Sequence, residues 1–498
     1  MIKSQLRLRS VLCAIVLMAS VCASAAYRLP RAVSTDVGIE PKQLTLLYDS
    51  LLTSDLTELH HLMVVVDGKV AGEIHPAPFK AEHRHTLYSV SKTFAAVAVG
   101  LAVEDGLLSV EDELVKFFPK YAKTIKGIKI KDVLTMRSGF KTEGGMRNSQ
   151  TDWVDYYLSR PLVAKPGTKY SYDSIETYLL SAVVQQVTGK DILTLLNERV
   201  FLPMGIDDVE WEKCPKGIVT GGWGIYMTAE AQAMFGQLLL QRGEWNGKQL
   251  VSSKWVDEMM TVRVVRTAND YGYQIWLCEY PGVWRADGAF GQYIIIVPQK
   301  DMVVVLNQCS RSKGWPERGN IWNTVVKNSK GCTIEADPDE LDSLQNYVSK
   351  ATLPLLKGAA DNELAKKYNG KEYKLPKNKL GWKSIKFNFE KNKFILEVVD
   401  AEGVKSQIAM GYGEWIESQL AGYPHYSIGA KGRFTGVTGP FYTGACYAWN
   451  NDNTLSAKVH YTNWITSLKL DFKFNQKGGF QIEILENFSK KPFTIDVK

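Results

Sequence analysis

Hydrophobic residues follow two different spacings along this chain. Up to about Leu355, apolar segments alternate between the helical and the strand spacing, whereas after about Ala360 almost every apolar segment alternates with a period of two. The length of 498 residues and the hydrophobic content of 45% are sufficient for at least two buried cores. We therefore predict two folded parts, residues 26–355 and residues 361–498, behind a separate N-terminal stretch of residues 1–25.

The first part combines strands at both of its ends with helices between them. Residues 62–66 and 69–74, joined by Asp67 and Gly68, have the pattern of a hairpin with a tight turn. Further strands are predicted at residues 284–287, 292–297 and 302–306, followed by a helix around residues 321–327. Because strands so distant in sequence must share one sheet, the pattern predicts an α+β fold with an antiparallel sheet flanked by helices.

The second part is predicted to be an all-β domain, either a barrel or a sandwich. The segments that alternate with a period of two are residues 385–389, 394–398, 455–461, 468–474 and 480–485. Trp415, Trp449 and Trp464 could line a binding face, but packing inside the domain explains them better. The sequence leaves the role of this domain open.

Residues 1–25 have the pattern of a secretory signal peptide. Three basic residues precede an apolar core at residues 11–21, and small residues follow it. The core is shorter than the roughly 20 residues of a membrane-spanning helix, so we expect no stable membrane insertion after cleavage. The predicted location is the bacterial periplasm or the exterior. Cys22 follows the bulky Val21, which argues against lipoprotein anchoring at that cysteine.

Charge and cysteine content exclude several classes of function. Removal of residues 1–25 lowers the formal net charge from +7 to +4, and no dense Lys/Arg tract remains, so no nucleic-acid partner is expected. The five remaining cysteines contain no Cys-x-x-Cys pair, which argues against a zinc cluster or a disulfide scaffold. His83 and His85 lack further nearby ligands and are expected at the surface. We therefore expect no metal and no cofactor, and a small-molecule or peptide substrate. The sequence does not determine the oligomeric state.

The most informative motif is Ser-Val-Ser-Lys at residues 89–92, directly before the apolar run at residues 94–99. Side chains three residues apart lie on one face of a helix, so Ser89 and Lys92 can come within hydrogen-bond distance. A lysine can take the proton of a serine hydroxyl when burial or nearby positive charge keeps its amine neutral. The same spacing recurs from Ser138 and from Ser310, but neither of these opens an apolar helix. Ser89 is therefore the candidate nucleophile.

Together with this motif, residues 40–330 resemble serine β-lactamases, penicillin-binding proteins and their esterase and amidase relatives, especially the class C-like branch. The segments that carry the resemblance are residues 89–92, 106–112, 134–140 and 166–174. The resemblance implies a β-lactamase/transpeptidase-like fold. It also implies that Tyr172 shares a proton with Lys92 and Ser89 and later protonates the leaving group. Ser174 replaces the usual Asn of this motif and is expected to contact substrate.

A third family motif, Lys/His-Thr/Ser-Gly, is replaced here by Ala286, Asp287 and Gly288. In lactamases and transpeptidases this motif holds a substrate carboxylate, which neither Ala286 nor Asp287 can attract. Gly288 still permits a close backbone approach, so the amides of Ala289 and Ser89 are expected to form an oxyanion hole. Asp287 and Gly288 are expected to line the substrate site.

These features predict an exported serine hydrolase that cleaves an ester or amide bond, with Lys92 and Tyr172 as general base and acid. Residues 221–229, 235–238 and 243–249 are similar to the branch that contains nylon-oligomer hydrolases and carboxylesterases. Two alternatives stay open. One is a D,D-peptidase or β-lactamase, against which Asp287 argues. The other is a non-catalytic cell-envelope binding protein, which Ser174 favours but the joint presence of Ser89, Lys92 and Tyr172 opposes.

Overall fold

The computed structural model describes residues 28–142, 145–146, 149–312, 314–425, 434–450, 453–475 and 478–497. The predicted signal peptide lies outside these residues. Within them, no helix has the length and apolar character needed to cross a bilayer. The five cysteines in this part of the chain are all unpaired thiols.

The described residues form helices and strands with the following bounds. The α-helices are α1 (Pro41–Leu52), α2 (Ser91–Glu104), α3 (Ala122–Ile125), α4 (Ile130–Leu134), α5 (Trp153–Leu158), α6 (Ser174–Thr188), α7 (Ile192–Leu196), α8 (Leu202–Met204), α9 (Ala229–Leu240), α10 (Ser253–Met259), α11 (Pro316–Ile321), α12 (Pro338–Ser349) and α13 (Glu363–Tyr368). Shorter 3-10 helices cover Ser34–Val37, Tyr88–Val90, Leu114–Lys116, Pro119–Tyr121 and Pro298–Lys300, and π-helical turns cover Asn197–Phe201 and Trp322–Val326.

The strands of the first part are β1 (Thr57–Val66), β2 (Lys69–Ile74), β3 (His85–Thr86), β4 (Glu210–Trp211), β5 (Ile225–Met227), β6 (Glu244–Trp245), β7 (Lys248–Gln249), β8 (Trp276–Leu277), β9 (Trp284–Gly288), β10 (Gln292–Val297) and β11 (Met302–Ser310). The strands of the second part are β12 (Glu372–Lys374), β13 (Trp382–Glu390), β14 (Lys393–Asp400), β15 (Lys405–Gly411), β16 (Ile416–Gln419), β17 (Tyr442–Trp449), β18 (Thr454–Tyr461), β19 (Ser467–Phe474), β20 (Phe480–Glu486) and β21 (Phe493–Val497).

The main sheet of the first part has the order β2-β1-β11-β10-β9-β8, and its neighbouring strands are antiparallel. The predicted hairpin is present as β1 and β2. Strand β11 lies beside β1, so the two ends of this part close one sheet as predicted. Buried apolar residues cover both faces of the sheet, one against α2, α6 and α9, the other against α1 and α11. The predicted α+β fold is confirmed.

Helix α2 carries the candidate nucleophile motif into the middle of the protein. Every residue from 91 to 102 is buried, which is why the sequence of this helix is apolar on all sides. Helix α6 lies against α2 and begins where the Asp173 carboxylate accepts a hydrogen bond from the amide of Ile175. These two buried helices hold the candidate catalytic residues on a rigid frame.

Strands β12 to β21 form a second sheet, which makes the C-terminal part a barrel-like all-β domain as predicted. We call this the β-domain. Its neighbouring strands are antiparallel except β15 and β17, which pair in parallel. Trp449 and Trp464 are buried and Trp415 is half-buried. The predicted boundary at residues 355–361 falls between α12 and α13.

His83 and His85 are buried, contrary to the expectation that they lie at the surface. They belong to a histidine cluster, defined as His60, His61, His75, His83, His85 and His460. The ring nitrogens of His60 and His85 are 2.9 Å apart, and those of His61 and His75 are also 2.9 Å apart. The cluster lies where β1, β2 and β3 meet the β-domain, because His83 stacks on Tyr442 and His460 belongs to β18. The sequence did not reveal this contact between distant segments.

Candidate active site

Ser89 lies in the short helical turn Tyr88–Val90 that leads into α2, and Lys92 lies in the first turn of that helix. The distance from Lys92 Nζ to Ser89 Oγ is 3.0 Å. Lys92 is only 2% exposed, whereas Ser89 is partly exposed. The predicted pair is therefore within hydrogen-bond distance, with the hydroxyl accessible and the amine enclosed.

The Lys92 amine also contacts two further oxygens. Its Nζ atom is 2.9 Å from Ser174 Oγ and 2.6 Å from the carbonyl oxygen of Gly222. A neutral amine can donate its two hydrogens to these two acceptors and direct its lone pair at the Ser89 hydroxyl. This arrangement suits a base that removes the Ser89 proton.

Tyr172 lies beside the same amine. Lys92 Nζ is 4.7 Å from the centroid of the Tyr172 ring. The preceding loop is fixed by two backbone hydrogen bonds, from the Gly167 amide to the Arg137 carbonyl at 2.8 Å and from the Ser171 amide to the Met136 carbonyl at 2.9 Å. The structure thus brings Ser89, Lys92 and Tyr172 together.

Ser174 is the first residue of α6 and is buried. Sequence reasoning placed it in substrate binding, which stays a prediction. Its hydroxyl contacts Lys92, a role that sequence reasoning missed. A hydroxyl at this position therefore reaches the lysine, although the family usually has an amide there.

Gly288 ends strand β9 beside the segment that leads to Ser89. A Cβ atom on Gly288 would lie 2.3 Å from the Leu87 carbonyl oxygen, so this close approach of two backbones requires glycine. Ala289 follows at an exposed position. The amides of Ser89 and Ala289, the predicted oxyanion donors, therefore belong to two segments in direct contact.

Asp287 pairs with a buried cation that sequence reasoning missed. Arg285 Nε donates to Asp287 Oδ2 at 2.8 Å, and Arg285 is only 3% exposed. Burial alone would lower the pKa of Arg285, but the charge of Asp287 and the contact with Cys278 hold that pKa above its ordinary value. Residues two apart lie on one face of a strand, and this spacing is the signal that could have identified the pair.

An aromatic surface continues from Tyr172 along strand β8. The ring of Trp276 is 5.7 Å from the ring of Tyr172 and 4.6 Å from that of Tyr271, measured between centroids. The Arg266 guanidinium lies over Tyr170 and Trp276 at 4.3 and 5.2 Å. Trp276 is partly exposed, so this surface forms one wall beside the candidate catalytic group. Sequence reasoning did not identify it.

Ser138, which begins another Ser-x-x-Lys match, contacts a buried carboxyl group on α6. Ser138 Oγ donates to Glu176 Oε1 at 2.6 Å. Burial raises the pKa of Glu176 well above its ordinary value, and the hydrogen bond from Ser138 opposes that rise only in part. Ser138 is therefore a buried partner of Glu176, whereas Ser89 is partly exposed at the site itself.

Comparison with known proteins agrees with this geometry. The family model described as "Beta-lactamase" matches residues 60–324. The 6-aminohexanoate-dimer hydrolase of Paenarthrobacter ureafaciens is 23% identical over 288 residues, which are 51% of this chain and 72% of the relative. A putative D-alanyl-D-alanine carboxypeptidase of Escherichia coli (strain K12) is 27% identical over 172 residues, which are 30% of this chain and 39% of the relative.

Solved structures share the fold at low sequence identity. A putative 6-aminohexanoate-dimer hydrolase from Bacillus anthracis is 19% identical, with a TM-score of 0.51 over 61% of this chain and 87% of that one. A family VIII carboxylesterase is 15% identical, with a TM-score of 0.50 over 58% of this chain and 99% of that one. At such identity the likeness establishes the fold alone.

Proposed function

Because this chain belongs to the β-lactamase family of serine hydrolases, we propose that it is an exported enzyme that cleaves an ester or amide bond through an acyl-enzyme on Ser89. The observation that carries the proposal is the set of contacts at Lys92 Nζ, which lies 3.0 Å from Ser89 Oγ, 2.9 Å from Ser174 Oγ and 2.6 Å from the Gly222 carbonyl. These contacts orient a buried amine towards an accessible hydroxyl.

The proposed reaction has two halves. In the first, Lys92 and Tyr172 take the Ser89 proton as Ser89 Oγ attacks the carbonyl carbon, and the proton then passes to the leaving alcohol or amine. In the second, a water molecule gives its proton to the same pair and attacks the acyl-enzyme. The acid product leaves, and Ser89 regains its proton.

The negative oxygen of each tetrahedral intermediate would lie between the amides of Ser89 and Ala289. The loss of one such donor typically lowers kcat by about 10²- to 10³-fold. The close approach of Gly288 to Leu87 supports this assignment because it keeps the two donor segments in contact.

Two observations indicate the substrate class: the residues that replace the third family motif, and the names of relatives. Asp287 with its partner Arg285 occupies the place where lactamases and transpeptidases hold a substrate carboxylate, and it offers an acidic group there. One relative is named a hydrolase of the 6-aminohexanoate dimer, and one structural neighbour a carboxylesterase. We therefore propose esters or amides without a carboxylate at that position.

A D,D-peptidase is the second candidate because one relative is named a putative D-alanyl-D-alanine carboxypeptidase. Incubation with a fluorescent penicillin distinguishes the two. The ester or amide proposal predicts no stable adduct, and an adduct on Ser89 that is absent from Ser89→Ala would establish the peptidase class instead.

The decisive experiment measures hydrolysis of a short-chain p-nitrophenyl ester and labelling by a fluorescent serine-directed phosphonate. Wild type should be active and labelled, whereas folded Ser89→Ala should lose both, with kcat reduced by at least about 10³-fold. Ser171→Ala is the matched control, because the Ser171 hydroxyl contacts Thr142 at an exposed position and should leave activity unchanged. Equal turnover in wild type and Ser89→Ala would refute the assignment, and failure of wild type to react with either probe would favour the binding-protein alternative.

Export is proposed from the pattern of residues 1–25. The mature protein recovered from the periplasm or the medium should begin near Ala26, which intact-mass measurement determines. Recovery of the full-length chain from the cytoplasm alone would contradict export.

A further inference from the structure

The β-domain contacts the residues next to both predicted oxyanion donors. Tyr88 precedes Ser89, and its ring is 6.0 Å from that of Trp464, in the connection between β18 and β19. Phe290 follows Ala289, and its ring is 4.8 Å from that of Phe488, which follows β20. Each donor therefore has a neighbour that touches an aromatic residue of the β-domain.

The two neighbours also touch each other. The rings of Tyr88 and Phe290 are 5.3 Å apart in an edge-to-face arrangement. Tyr88 belongs to the same buried apolar cluster as Trp464, and Phe290 packs against that cluster. The four rings thus form a continuous row from the two donor segments into the β-domain, and we call this row the aromatic bridge.

Both neighbours have a strained backbone. The φ angles of Tyr88 and Phe290 are 49° and 65°, in the left-handed region that bulky side chains rarely adopt. Such conformations persist only where the surroundings stabilise them, and they are common at functional sites. The aromatic bridge supplies such surroundings, because each strained residue packs its ring against a ring of the β-domain.

Polar contacts fix the same segment. The Thr86 amide donates to the Asn463 carbonyl at 3.0 Å, and Asn463 Nδ2 donates to the Arg84 carbonyl at 2.8 Å. Trp464 also stacks on Tyr226 at 5.3 Å, and the neighbouring Ile225 carbonyl accepts from the Leu87 amide. The turn that carries Trp464 therefore holds the backbone that leads into Ser89.

We infer that the β-domain positions the oxyanion hole through the aromatic bridge, with Trp464 and Phe488 as positioning residues. This inference rests on the proposed function, since it requires Ser89 and Ala289 to act on a carbonyl group. Neither aromatic residue needs to touch substrate. They hold Tyr88 and Phe290 in conformations that aim the adjacent amides at one point.

The inference predicts a specific kinetic defect. Oxyanion donors stabilise the transition state more than the bound substrate, so their displacement lowers kcat with little change in KM. Small misplacements of reacting groups can cost about 10²-fold in rate. We expect Trp464→Leu to lower kcat by about 10- to 100-fold while KM changes less than about 3-fold.

The experiment compares four variants of the full chain on a p-nitrophenyl ester. Trp464→Leu and Phe488→Leu remove the two contacts, and Trp464→Phe keeps an aromatic ring and should restore most of kcat. Trp449→Leu is the matched control, because Trp449 is equally buried in the β-domain but packs against Phe389 and Phe474. It should retain kcat at a temperature well below its unfolding midpoint.

Inhibition by an alkyl boronic acid provides a second readout. Its tetrahedral adduct on Ser89 places an oxygen in the oxyanion hole, so its inhibition constant should rise in Trp464→Leu and Phe488→Leu by about the factor lost from kcat. Wild-type kcat and boronate inhibition in both folded variants would overturn the inference, as would an equal loss in Trp449→Leu. Wild type that reacts with neither ester nor phosphonate would instead refute the proposed function, and this inference with it.

Discussion

Lys92 is the residue on which the candidate site depends. Its three oxygen contacts hold the buried amine beside Ser89, which supports the proposed role of Lys92 as a base. The hydroxyl of Ser174 is the contact that differs from the usual family pattern. At the residue scale, the question is how much this hydroxyl contributes to the orientation of the amine.

We predict that Ser174→Ala lowers kcat by about 5- to 10-fold. One hydrogen bond contributes about 1 kcal/mol, and 1.36 kcal/mol corresponds to a factor of ten in rate. Lys92 keeps its contacts with Ser89 and Gly222, so activity should fall but persist. Steady-state kinetics on the same ester measure the effect, with Ser171→Ala as control. Unchanged kcat in Ser174→Ala would show that the other two contacts suffice.

At the scale of elements, the site depends on the approach of strand β9 to the turn before α2. Gly288 permits this approach, and Phe290 follows the second donor in a strained conformation. The Arg285 and Asp287 pair lies on the same strand. The position of one strand end therefore controls the predicted oxyanion hole.

We predict that Gly288→Ala lowers kcat by about 10²-fold. The new Cβ would lie 2.3 Å from a backbone oxygen of Leu87 and 2.9 Å from Gln292 Cβ, so β9 must move away and displace the Ala289 amide. Gly319→Ala is a suitable control, because its nearest contact is an ordinary 3.6 Å to Tyr280. Kinetics measure the loss of kcat, and thermal unfolding measures any loss of stability, so a catalytic effect is separated from a folding defect. Wild-type kcat in Gly288→Ala would contradict the assignment of Ala289.

At the scale of the whole molecule, the two parts meet through the aromatic bridge and the histidine cluster. Burial lowers the pKa of His60, and it lowers the pKa values of His61 and His85 well below the ordinary value, with neighbouring histidines adding to the effect. Burial alone would raise the pKa of Glu58, but His460 and His60 lower it well below its usual range. Burial at the interface between the parts therefore favours the neutral forms of His61 and His85.

We predict that the free energy of unfolding decreases as the pH falls below about 6.5. The unfolded chain takes up protons on these histidines near that pH, whereas the folded protein does not until lower pH. The stability is thus fully present above about pH 6.5 and is lost as the pH falls towards the lowered pKa values. Thermal unfolding at pH 8 and pH 5 measures the difference.

A single substitution tests whether the buried histidines cause this pH dependence of stability. His61→Gln should reduce the loss of stability between pH 8 and pH 5, because it removes one proton-binding group from the unfolded chain. His425→Gln is the control, since His425 lies outside the cluster beside Glu486. The same pH dependence in His61→Gln and wild type would exclude His61 as a contributor.

The sequence by itself determined the elements and the candidate nucleophile. The period of its apolar residues set the hairpin, the apolar helix α2 and the all-β domain, because such periods follow from local backbone geometry. Ser89 and Lys92 were found because they lie three residues apart where the apolar helix α2 begins. Tyr172 and the donor at Ala289 came from resemblance to a family.

Only the tertiary structure decided which distant segments meet. The contact of Trp276 with Tyr172 and the histidine cluster both join segments that are far apart in the sequence. Trp464 and Phe488 follow the same rule, since they reach Tyr88 and Phe290 from a different domain. Local periodicity specifies the elements, whereas the packing of their faces specifies the partners, and that packing depends on the whole chain at once.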